Sequence, residues 1–172
     1  MPSTAPTAVP ELSAEARRQG AVASKTVMAA FGEVTTLLMR SPQFKQQSLA
    51  DLEWLAVPAV MSGQFLVAEA QSKTSGLMAP VAMVLWAAVS AEVDARLAAA
   101  TDGPLRLKAE EWRSGDNLWV IEAVGEPQLV QALLKRLLAT AAKGRPIKMR
   151  TRARDGSMRV GASGVSHIQY KS

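Results

Sequence analysis

Apolar residues in the first third of the chain recur at helical spacing. Val27, Phe31, Val34 and Leu38 follow one another at four, three and four positions, which sets them along one face of an α-helix. The spacing predicts a long amphipathic helix from Ser13, a residue suited to cap a first turn, to Met39. Such a seam serves either to pack against the chain's own core or to pair with a second copy as a homodimer contact. Ser41-Pro42 stops the helix, because the residue before proline is pushed out of helical angles. A second helix opens at Ser48, where Asp51 three residues on completes a capping box, with Leu49, Leu52 and Leu55 inward. Pro58 kinks or ends it before Gly63 turns the chain. Gln64 to Ala70 then reads as a strand, residues 71–76 as a hairpin turn, and Pro80 to Val89, nearly all apolar, as an interior strand.

The pattern then alternates. Ser90 caps a short helix to Ala100 with Val93 and Leu97 inward, ended by Thr101-Asp-Gly-Pro104. Leu118 to Val124 is rich in aromatic and β-branched residues and reads as a strand. Pro127 starts a helix to about Ala142 whose stripe is Leu129, Leu133 and Leu137, flanked by Val130, Leu134 and Leu138, with Gly144 as its stop. Residues 146–154 and 157–160 read as two strands joined at Asp155-Gly156, the strongest short hairpin signal in the chain. These elements predict one mixed α+β domain over residues 13–161. Residues 1–12, with prolines at 2, 6 and 10, and residues 162–172 read as tails.

Composition narrows the chemistry. With 172 residues and 48% hydrophobic content, the chain is long enough for one sizeable core. The absence of cysteine excludes a disulfide scaffold and Cys-ligated metal, and fits a reducing, cytoplasmic compartment. His167 is the single histidine, so a multi-histidine metal centre is ruled out and no metal is expected. A displaced catalytic role for His167 is disfavoured by its place near the chain end. The N-terminus shows no secretory signal, and the most apolar run, Leu77 to Val89, is too short for a membrane span of about 20 residues. A net charge of +5 favours an anionic partner without naming one.

Chemistry concentrates between residues 109 and 127. Ser114-Gly115-Asp116 is a turn, and in the strand after it Glu122 is the odd residue. Strict alternation puts Leu118, Val120, Glu122 and Val124 on one face, and Trp119, Ile121 and Ala123 on the other. A carboxylate among such neighbours would have its pKa raised by desolvation, as a general base near neutral pH requires. The alternative is a solvated carboxylate at an edge.

The segment Ala109-Glu-Glu-Trp-Arg-Ser-Gly-Asp116, followed by Trp119-Val-Ile-Glu122, resembles the hallmark of the RTX toxin-activating lysine acyltransferases. Gly32 and Ser41-Pro42 match that family's pattern as well. The resemblance covers residues 31–161. It implies a GNAT-like fold with a mostly antiparallel sheet flanked by helices. It also implies transfer of a fatty acyl group from acyl carrier protein, with no tightly bound cofactor, to an internal lysine of a protoxin or other exported protein. The family's catalytic histidine position is Phe44 here, which cannot accept a proton. The family's aspartate partner aligns with Glu122, and a family tyrosine with Arg96. The resemblance thus places catalysis at Glu122, Phe44 and Ser41, and substrate or acyl contacts at Trp112, Ser114, Gly115 and Trp119. The tryptophans serve equally well as core.

Lys148, Arg150, Arg152 and Arg154 fall at every second position of a predicted strand, so one face would carry four cations. That stripe is either a solvated face or a docking surface for the strongly acidic acyl carrier protein. A nucleic-acid reader would interleave aromatic residues with these cations, and the nearest, Tyr170, lies well outside. Neither a nucleophile elbow nor a P-loop occurs. Three functions remain in view: an acyltransferase using Glu122 alone as base, a non-catalytic relative that binds acyl chains or carrier protein, and a basic nucleic-acid-binding module.

Overall fold

The computed structural model of the chain describes residues 13–100, 102–152 and 157–163. The opening helix α1 runs over Ala14–Arg40, with Ser13 Oγ accepting the amide of Ala16 and Ser41 closing its far end. Its first half lies exposed. Ala30, Val34, Leu37 and Leu38 are buried, so the regular seam is spent largely on the chain's own core. A 3₁₀ turn at Pro42–Phe44 follows, then the Ser48–Asp51 capping box, a second 3₁₀ turn Leu49–Asp51, and the short helices α2 (Leu52–Leu55) and α3 (Val57–Ser62). Pro58 sits in the first turn of α3, where its missing N–H costs nothing, and Gly63 reverses the chain in a left-handed conformation.

The sheet contains β1 (Phe65–Gln71), β2 (Met78–Val89), β3 (Asn117–Gly125), β4 (Ile147–Arg152) and β5 (Met158–Ser163), in that spatial order. Every neighbouring pair is antiparallel except β3 and β4, which are parallel and are joined through helix α5 (Pro127–Ala139) as a crossover. This is the mixed α+β arrangement expected, a mostly antiparallel sheet with helices on both faces. Helix α4 (Ala91–Ala99), capped by Ser90, and a 3₁₀ turn Ala109–Trp112 fill the link between β2 and β3.

Two apolar layers sandwich the sheet. On one side α1, α2 and α3 cover Met83, Leu85, Ala87, Val89, Trp119 and Ile121. On the other, Leu133, Leu134 and Leu137 of α5 cover Val84, Trp86, Leu118, Val120 and Ile147. β2, buried on both faces for most of its length, is the interior strand its composition predicts.

Several boundaries differ from the sequence reading. α5 stops at Ala139 rather than near Ala142, and the chain leaves it through Lys143 (φ 49) and Gly144 (φ 80). β5 continues to Ser163, two residues into the predicted C-terminal tail, because it pairs with β4 as far as Ile147. The Asp155-Gly156 turn, His167 and both predicted tails, save Ala162 and Ser163, lie outside the described residues.

The strict alternation assigned to β3 also fails. Leu85 pairs with Glu122 and Trp86 with Val120, so Ile121 is an extra residue in a β-bulge. Past the bulge the faces exchange. Val124 joins the layer of Trp119 and Ile121, and Ala123 packs with the layer of Val120. A second irregularity lies between Ala68 and Glu69 of β1, where Val81 is left over on β2.

At the end of β3, Gly125 has φ +127, and a Cβ there would lie 2.5 Å from Ala82 Cβ. Gly125→Ala should therefore destabilise the fold by about 2 kcal/mol or more. Gly161→Ala, with nothing within 4 Å of a new Cβ, should stay within about 0.5 kcal/mol of wild type. Urea denaturation of the two variants measures both.

Candidate active site

β3 and β4 pair only at Leu118 with Ile147 and at Trp119 with Lys148. Beyond that point the strands part, and the gap is a slot of about 580 Å³. Val120, Ile121, Glu122 and Ala123 form one wall and Met149 and Arg150 the other, with Met158 of β5 alongside. Gln43, Phe44 and Gln47 close it at one face together with Gly103, Pro104 and Leu105, and Val130 and Leu134 of α5 close it at the opposite face. The lining is largely apolar, and among the described residues on it the charged side chains are Glu122 and Arg150.

Glu122 is partly buried, and burial pushes its carboxyl up to about 7. An N–H bond from Ala123, 3.0 Å from Oε1, and the positive field of Arg150 oppose the shift without cancelling it. Phe44 lies in the same slot. Its ring adds apolar surface where a histidine would have offered a second titrating group.

Ser41 is 8% exposed and its hydroxyl donates to the Leu37 carbonyl at 2.8 Å. It is committed to the end of α1, and it lines a neighbouring cavity rather than the slot. That second cavity, about 760 Å³, lies beside α1's last turn, the far end of β3 and the start of α5. Gln43 and Ala123 line both.

Trp112 and Trp119, 1% and 0% exposed, are core residues and line neither cavity, which corrects the acyl-contact reading for both. Trp112 lends its carbonyl to Gln64 Nε2 at 3.0 Å. Ser114 and Gly115 likewise stand away from the slot. Ser114 Oγ accepts the amide of Ser90 at 2.9 Å and donates to the Glu111 carbonyl, while the Gly115 amide donates to Ala88. A Cβ on Gly115 would lie 2.6 Å from the Val89 carbonyl oxygen. The Ser-Gly-Asp turn thus ties the entry of β3 to the β2–α4 junction. Arg96, where the resemblance implies a tyrosine, pairs with Glu111 at 2.7 Å.

The cation stripe also differs from a free docking face. Alternation along β4 holds, with Ile147 and Met149 in the α5 layer. Lys148 Nζ instead reaches both oxygens of Asp94 on α4 at 2.8 Å, and Trp119 Nε1 donates to the same carboxylate at 2.7 Å. Burial pushes Asp94 up, but the hydrogen bonds from Lys148 and Trp119 outweigh it and hold the carboxyl below its ordinary value. Arg150 donates to the carbonyls of Ala100, Asp102 and Gly103, which fixes the loop that carries the slot residues Gly103 and Leu105. Lys148 and Arg150 are therefore structural ties, and this weakens the nucleic-acid reading of the stripe. Arg154 lies outside the described residues, as does the side chain of Arg152.

Asp94 and Gln43 were missed by the sequence reading. An acid in the first turn of a helix reads as a partner for the helix dipole, and a glutamine next to Pro42 carries no signal at all. Among the described residues no group of His, Asp and Glu could hold a metal ion, and no helix is long and apolar enough to cross a membrane.

The fold thus defines a mixed α+β protein whose five-stranded, mostly antiparallel sheet parts beside a desolvated carboxylate. Comparison of the sequence narrows this. Residues 23–162 match the profile of the RTX toxin acyltransferase family, and the chain belongs to that family. It is similar to the RTX-II toxin-activating lysine-acyltransferase ApxIIC of Actinobacillus pleuropneumoniae, 29% identical over 53% of this chain and 51% of the relative. It is also similar to the leukotoxin-activating lysine-acyltransferase LktC of Pasteurella haemolytica-like sp. (strain 5943B), 28% identical over 62% of this chain and 59% of the relative. The matched part thus spans between about half and three fifths of these relatives' length.

The Glu122 environment has a stability consequence. A carboxyl whose pKa is raised on folding is held without penalty at low pH, and that advantage is lost as pH rises through about 7. Relative to Glu122→Gln, the wild type should lose roughly 2–3 kcal/mol of stability between pH 5 and pH 8, at ~1.4 kcal/mol per pKa unit. Urea denaturation at the two pH values checks this, and a constant difference would mean an unperturbed carboxylate.

Proposed function

We propose that this protein is a protein-lysine acyltransferase acting in the cytoplasm. It takes a fatty acyl group from acyl carrier protein and places it on an internal lysine of a protoxin or other exported protein. The observation that carries this reading is a proton acceptor with a pKa of about 7 set in an apolar slot between two parting strands. Family membership and relatives named toxin-activating lysine-acyltransferases support the reaction class.

The slot suits the donor. An acyl chain takes apolar walls, and the amide-bearing arm that carries it can pair with the facing strand edges, which form no ladder beyond Trp119 and Lys148. Glu122, whose carboxyl is raised to about 7 by burial, takes one proton from the acceptor ammonium when it is ionised. The freed amine nitrogen attacks the thioester carbonyl carbon, and collapse of the adduct forms the amide and breaks the C–S bond. The second nitrogen proton goes to the departing thiolate, and Glu122 returns its own proton to water. One carboxylate thus does what a histidine with an acidic partner does in the resembling family.

Glu122→Gln should lower transfer from acylated carrier protein by about 100-fold or more. In the wild type the rate should climb with pH through about 7, because the ionised carboxylate is the active form. Mass spectrometry of the acceptor reads both, and full activity of the variant would remove Glu122 from the mechanism. Phe44→His should raise transfer by restoring a second proton acceptor in the slot. The presence of Phe44 favours one other reading, a relative that binds acyl chains or carrier protein without turnover. Tight binding of acylated carrier with no product at any pH would decide for it.

A further inference from the structure

We infer that the cavity beside α1's last turn receives the lysine-bearing segment of the acceptor protein, so that donor and acceptor approach Glu122 from different sides. This rests on the acyltransferase reading and adds the acceptor's path to it.

Three observations carry the inference. The first is continuity. Gln43 and Ala123 line both cavities, and the Ala123 amide donates to Glu122 Oε1 at 3.0 Å, so the carboxylate of the slot is held from the wall the two cavities share. A side chain entering from the second cavity would cross into the slot past Gln43 and Ala123, one residue from the proton acceptor.

The second is charge. In a protein of net charge +5 this cavity is locally acidic. Glu69 and Glu126 line it and are exposed. Glu33 on α1 lies close enough to Glu69 to feel its negative field. Against them stands one guanidinium, Arg40, which donates to the Pro80 carbonyl at 3.3 Å. Such a rim favours a cation, and ammonium is the charge that the reaction must bring to the base and then discharge. The donor's acyl chain has no use for these carboxylates.

The third is the shape of the sheet. The irregularity between Ala68 and Glu69 leaves Val81 over on β2, in the wall of this cavity, and Glu69 faces Pro80 rather than Val81. Bulges re-aim side chains, and here the pleat changes beside an acidic group on the rim. At about 760 Å³ the cavity has room for a lysine and the extended backbone on either side of it.

The test uses the double charge reversal Glu69→Lys with Glu126→Lys. Both positions are exposed, and a thermal melt checks that the variant folds. With acylated carrier protein as donor and a short lysine peptide as acceptor, KM for the peptide should rise at least about 10-fold, while KM for the donor and kcat stay within about twofold. An unchanged peptide KM, or an equal rise in donor KM, overturns the inference. NMR titration of the unloaded protein with the same peptide answers independently of turnover. Shifts at Glu69 and Ala123–Glu126 that vanish in the double variant support the acceptor path even if no transfer occurs, whereas identical titrations of both proteins overturn it. Absence of transfer by the wild type counts against the enzymatic reading alone.

Discussion

The structure depends on where β3 and β4 stop pairing. Two residue pairs hold the strands together, and past them the two edges face each other across open space. The crossover through α5 makes the pair parallel and sets Val130 and Leu134 against the gap. The loop after α4 and the turn at Phe44 cover the other face. Exposed strand edges invite association with any chain that can extend them. Here the unpaired edges are covered on both faces, which shields them from such association.

Glu122 acquires its character from this geometry. Strict alternation would put its carboxyl on the α5 face with Val120. The bulge at Ile121 sets it in register with Leu85 instead, and it lines the slot with apolar neighbours and Phe44. Arg150 is the nearby positive charge, yet its guanidinium is tied to three backbone carbonyls and makes no direct bond to Glu122 among the described contacts. A bonded pair would hold the carboxylate ionised and well below neutrality. A fixed cation acting only through space leaves the proton affinity high enough for base catalysis near pH 7.

Much of the fold was legible because helices and strands leave different periods in the sequence. α1, α4 and α5 follow from apolar spacing and from Ser13, Ser90 and Pro127 at their starts, and β2 from an unbroken apolar run. The bulges were not legible. β3 is apolar on both faces, so sliding its parity by one residue leaves the pattern unchanged, and only the pairing partner reveals the shift. The cation stripe on β4 had the right alternation and the wrong surroundings. Nothing local to Lys148 announces that an acid fifty-four residues earlier waits for it. The Ala109 to Glu122 motif was legible, but most of it is frame: it anchors the strand that carries the carboxylate.

Asp94 accepts from Trp119 on β3 and from Lys148 on β4, the last residues the two strands share. The contact thus acts as a pivot at the closed end of a pair of jaws. Glu122 stands three residues beyond it, a lever arm of about 10 Å at ~3.3 Å per residue. A swing of the arms by some six degrees therefore moves the jaws by only about 1 Å at the carboxylate and by more toward their tips.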